Sequence, residues 1–140
     1  MTIHSHTASL VQRLLLAIAL AHVAAGLLLT MLPLAPSLHL ALASAIFGAG
    51  NTPKEVLFLI SVFGPTVASW GVLFYALVRA FFRHPTRGTW WALVLSVVIW
   101  APLDSALSMH YGLHAAVALN AGVALLVLAL LFGVRGGGDR

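Results

Sequence analysis

The stretch "TWWALVLSVVIWAPLDSALSM", Thr89 to Met109, carries a single charge, Asp104, in a run long enough to cross a membrane. A hydrocarbon core about 30 Å thick needs roughly 20 predominantly apolar residues in helical form. Reading outward from this run, three more of similar length stand between the charged residues: Leu14 to Leu34, Val56 to Val78 and Leu113 to Val134. The composition agrees, with 61% hydrophobic and 7% charged residues and a mean hydropathy of +1.05, against about 25% charged residues in ordinary soluble domains.

Backbone amides in lipid have to be hydrogen-bonded within the segment, which leaves helices or closed barrels. The four runs are continuous and lack the two-residue alternation of barrel strands. The expected fold is therefore all-α, an integral membrane bundle of four transmembrane helices that forms one domain over residues 1–140.

The basic residues report orientation. Arg13, Arg79, Arg83, Arg87, Arg135 and Arg140 flank the N-terminus, the second loop and the C-terminus, and only Lys54 lies in the first loop. The bias of Lys and Arg toward cytoplasmic loops places both termini in the cytoplasm, as in a protein of a bacterial inner membrane. The net charge of +4 sits at span ends and not on a separate soluble face, so no nucleic-acid partner is expected. Arg13 ahead of an apolar run, with Ala24 and Ala25 beyond it, also fits a cleaved signal peptide. The run of about 20 residues exceeds the usual 7–15 of such a segment, which favours a retained helix.

Some chemistry is excluded. The chain has no cysteine, hence no disulfide, thiolate metal site or dithiol redox centre. Its one lysine, Lys54, lies outside the spans, so a retinal Schiff base has no anchor. No Gly-rich phosphate loop is present.

Between the first two spans, "PLAPSLHLALASAIFGAGNTPK" (Pro33 to Lys54) is too long for a tight turn, and its prolines interrupt helix. Ser37 to Phe47 is expected to form a short helix at the outer interface. Asn51, Thr52 and Pro53 read as a cap for the second span, with Glu55 near the positive end of its dipole. The polar start, "MTIHSHTASLVQ", reads as a frayed segment or interfacial turn. "RAFFRHPTRGTWW", Arg79 to Trp91, is a short basic loop, with Trp90 and Trp91 at the level of an aromatic belt. "HYGLH", His110 to His114, turns through Gly112 and joins the last two spans as an antiparallel hairpin.

Asp104 is the residue that asks for an explanation. With the third helix rising outward, it lies about 9 Å below the outer end, inside the apolar slab. An ionised carboxylate there costs roughly 2–3.5 kcal/mol on insertion scales, so it faces protein or a wet cavity. Ser96, Trp100, Asp104 and Ser108 recur every four residues and are expected on one helix face, beside Pro102, which frees the carbonyl of Val98. His22, Thr66, Ser69 and Asn120 are the polar residues on the other spans. Ala19 and Gly26, Gly64, Ala68 and Gly71, and Ala118 and Gly122 mark faces suited to close helix contact.

Three functions follow for these residues. In one, an outer-half pocket holds a membrane lipid or other apolar small molecule, lined by His22, Thr66, Trp100, Ser108 and Asn120. Burial of an unpartnered carboxyl favours its protonated form, which makes Asp104 the candidate for catalytic proton transfer. In another, the chain is a non-catalytic accessory or assembly subunit of a larger membrane complex or a homo-oligomer, and Asp104 is a clasp bonded to Ser108, Asn120 or a histidine. A third alternative is a haem b electron-transfer subunit with His22 and either His110 or His114 as axial ligands. His110 and His114 also have the i, i+4 spacing of a metal pair, although Gly112 between them argues for a turn.

Overall fold

The computed structural model describes residues 2–47 and 54–135, and every regular element among them is helical. Five α-helices follow in order: α1 (Thr2–Met31), α2 (Pro36–Phe47), α3 (Lys54–Arg83), α4 (Arg87–His110) and α5 (His114–Arg135), with a short 3-10 turn at Leu32–Leu34. Four stretches within them are long and apolar enough to cross a membrane, Ala8–Leu34, Phe58–Arg83, Arg87–His110 and His114–Val134. The chain is an α-helical integral membrane protein.

Its surface is the converse of a soluble protein's. Leu28 on α1, Phe58 and Leu73 on α3, Leu103 on α4 and Leu125 on α5 all point outward, as lipid-facing side chains do. The buried positions follow the helical repeat on each span, for example Trp90, Val94, Val97 and Ala101 on α4.

Each boundary has a local cause. α4 starts at a reciprocal cap: Thr86 Oγ1 accepts the Thr89 amide at 3.1 Å while the Thr86 amide donates to Thr89 Oγ1 at 3.4 Å, which serves two of the orphan donors of a helix N-terminus. α4 stops at Gly112, whose φ of +72° is costly for a residue with a Cβ. Leu113 N then bonds to Ser108 O at 2.8 Å, and α5 starts at His114. Pro65 and Pro102 both lie inside helices without ending them, as is tolerated in spans where other groups meet the freed carbonyls.

Two differences from expectation concern α1 and the first loop. The polar start is helical from Thr2, because a helix already nucleated in the apolar run gains one backbone hydrogen bond for each residue added. The expected interfacial helix forms one residue earlier, with Pro36 as its first residue, a position where the missing N–H costs nothing. The cap expected at Asn51, Thr52 and Pro53 and the side chain of Glu55 lie outside the described residues.

Packing divides the chain into two units, one made of Ile18–Leu73 and the other of Met1–Ala17 with Phe74–Arg140. In the first, α1 and α3 meet through their smallest residues. A Cβ on Gly26 would collide with the backbone of Ala68 and Gly64, and one on Gly71 would come within 2.8 Å of Val23 N and 2.9 Å of Ala19 O. Thr30 Oγ1 donates to Gly26 O at 2.8 Å. His39 and Ala43, one turn apart on α2, are buried in the same unit. In the second unit, α4 and α5 form the hairpin, and Leu15, Phe74, Val78, Leu93, Val97, Val127 and Leu131 are fully buried.

Candidate functional site

Asp104 is held by the hairpin. The buried row on α4 runs Trp90, Val94, Val97, Ala101 and Ser108, with half-buried Asp104 between the last two, and the row on α5 is Asn120, Ala124, Val127 and Leu131. These steps alternate between three and four residues, the repeat that keeps a seam facing a partner helix in left-handed pairs. Asn120 Nδ2 donates to Asp104 Oδ2 across the seam. Nearer the helix ends, Trp90 Nε1 donates to Leu131 O at 3.2 Å. The hairpin is thus pinned at both ends by hydrogen bonds that cross from α4 to α5.

That repeat corrects the expected face of Ser96, Trp100, Asp104 and Ser108. A spacing of four drifts around the helix, whereas the buried seam averages 3.5. Asp104 and Ser108 therefore follow Ala101 on the seam, while Ser96 and Trp100, half-buried like Asp104, stand off that repeat. Ser96 Oγ donates within its own helix, to Leu93 O at 2.8 Å.

His22 and Thr66 belong to the other unit. His22 Nδ1 lies 2.8 Å from Ile18 O, and this nitrogen donates to the carbonyl. The His22 ring packs on Trp70 with centroids 4.7 Å apart and planes at 56°. Thr66 is exposed and lines an open groove of about 420 Å³ on α3, together with Pro65, Ser69, Trp70 and Leu73. Pro65 and Trp70, which also line this groove, are not among the expected site residues. The signal for them was a proline inside an apolar run followed by Trp at i+5, beside the two hydroxyls of Thr66 and Ser69.

His110 and His114 do not share a helix face. The first ends α4, the second begins α5, and both are exposed with Gly112 between them. The helical i, i+4 argument for a metal pair fails because the turn intervenes. Among the described residues, no group of three or more His, Cys, Asp or Glu side chains is placed to hold a metal ion. Gly122 faces open space, with nothing within 4 Å of the point where a Cβ would stand, and Ala118 is exposed beside it. The close contact expected at these two residues is absent among the described residues, since the α5 seam runs along the opposite side through Asn120, Ala124 and Val127.

A comparison with protein-family models, with curated proteins and with solved structures finds no match to this chain.

Proposed function

We propose that this integral membrane protein binds a lipid-like or other apolar small molecule, and that Asp104 takes no proton-transfer role in doing so. The observation that supports this reading is the groove on α3, whose wall is apolar at Pro65, Trp70 and Leu73 and offers hydroxyls at Thr66 and Ser69. Ligand sites are commonly apolar concavities with a few polar groups that fix orientation. The Asn120 bond to Asp104 supports the clasp, because it joins α4 to α5. The membrane, on this reading, is a bacterial inner membrane, supported by the arginine bias at the span ends.

The test is mass spectrometry of small molecules extracted from gently purified wild type, Ser69→Phe and Asp104→Asn. The expected result is a stoichiometric apolar compound in wild type and Asp104→Asn, depleted in Ser69→Phe, which fills the groove. Depletion in Asp104→Asn with retention in Ser69→Phe would return the ligand to Asp104. Bulk lipid alone in all three would favour the second reading, an accessory subunit of a larger membrane complex. The outward Ala118 and Gly122 on α5 support that alternative, since small residues let helices from another chain approach closely in lipid.

A further inference from the structure

We propose that the arginine-rich end of α4 binds one anionic phospholipid, with its phosphate at Arg83 and Arg87, its glycerol level at Trp91 and an acyl chain along Leu95 and Ile99. This site is separate from the α3 groove and does not depend on it.

Charge comes first. From Arg79 to Trp91 the chain carries three arginines and no acid. Arg79 is drawn back over the Tyr75 ring, 6.0 Å from its centroid. Arg83 closes α3, where a cation complements the negative end of the dipole. Arg87 has no such excuse, because it opens α4, at the positive end of that dipole, in a first turn without an acidic residue. The cap beneath it uses the neutral oxygens of Thr86 and Thr89 and brings no negative charge.

Among the described residues, this corner holds no acid. Asp104, the acid whose side chain is described, is bonded to Asn120. The positive-inside bias explains why arginines were selected on this side of the membrane. It names no partner for their charge, and none is present for Arg83 or Arg87 among the described residues.

The side chains following Arg87 show which anion fits. Arg87, Trp91, Leu95 and Ile99 succeed one another at four-residue steps, a row that climbs about 6 Å per step and slants around the helix, and all four are exposed. Trp91 is held edge-on against Trp90 at 4.9 Å, and Trp90 is itself fixed by its bond to Leu131 O, so the indole is a steady platform. Leu95 and Ile99 then present 48% and 59% of their surface outward. Cation, indole and aliphatic chain in that order reproduce the profile of a phospholipid from phosphate to tail. A free phosphate would use the arginines and gain nothing from the rest.

The test is native mass spectrometry of the full-length protein in detergent, titrated separately with phosphatidylglycerol and phosphatidylcholine of the same chains. Wild type should bind one phosphatidylglycerol about tenfold more tightly than phosphatidylcholine, and the double variant Arg83→Gln/Arg87→Gln should lose that preference. Trp91→Ala should weaken both lipids while keeping their ratio. Circular dichroism checks that the variants fold, and Arg87→Gln alone, which leaves the α3 terminus intact, should lose about half of the preference on a logarithmic scale. Equal binding of the two lipids by wild type, or an unchanged preference in Arg87→Gln, would overturn the proposal. So would displacement of phosphatidylglycerol by millimolar inorganic phosphate, which would identify a free anion as the occupant.

Discussion

The α1–α3 contact and the α4–α5 hairpin solve one problem in two ways. Between helices in lipid there is no hydrophobic driving force, because acyl chains are as apolar as leucine. Near Gly26, Gly64 and Gly71 the answer is proximity: backbones touch where side chains are missing, and dispersion over many close atoms does the holding. In the hairpin the seam also buries large side chains such as Trp90, Leu93 and Leu131, and the answer is specific, Asn120 to Asp104 at one end and Trp90 to Leu131 O at the other. Proximity tolerates no added atom, whereas a polar clasp tolerates changes that keep a donor opposite an acceptor.

Substitutions can break that contrast, and the largest effect belongs to the close contact. Gly26→Val should cost about 3 kcal/mol, the upper end for overpacking, since its Cβ would overlap backbone atoms of α3 that cannot rotate away. Thermal unfolding in detergent should show a steep fall in midpoint. A midpoint close to wild type would mean that the helices part easily and that proximity is not what holds them.

Next comes the clasp. Asn120→Leu removes the donor and leaves the Asp104 carboxyl half-buried without it, which should cost about 1–3 kcal/mol. Asp104→Asn keeps an oxygen opposite the Asn120 amide and should cost well under that. A double-mutant cycle between the two positions should give a coupling of about 0.6 kcal/mol, the average between membrane helices, and at most about 1.7 kcal/mol. Zero coupling would reduce the pair to coincidence.

At the other end of the hairpin, Trp90→Phe removes one hydrogen bond to a carbonyl and keeps most of the ring, for a loss of about 1 kcal/mol. The smallest effect is expected at Gly122→Leu, which enters open space and should leave stability within about 0.5 kcal/mol of wild type. On the accessory-subunit reading, the change should show in association instead, as altered elution of the purified protein.

The small residues also divide in a way that spacing did not reveal. Gly64 and Gly71 carry the contact with α1, so bulky residues there should damage the fold and not association, while Gly122 is the glycine of the three still open to a partner. Spacing identifies a face that can come close to something. It contains no record of what comes close, because any helix of this chain or of another can supply the partner.

The sequence alone determined the four spans and the helical class, because hydrocarbon leaves the backbone few choices and length does the rest. It also determined the hairpin turn at Gly112, a local property of one segment. Only the tertiary structure decided that Asn120 is the partner of Asp104, that the α4 seam passes through Ala101 and not Trp100, and that His110 and His114 sit on different helices. Those outcomes depend on which helices pair and on the 3.5-residue repeat that pairing imposes. A single helix, read by itself at 3.6 residues per turn, carries neither.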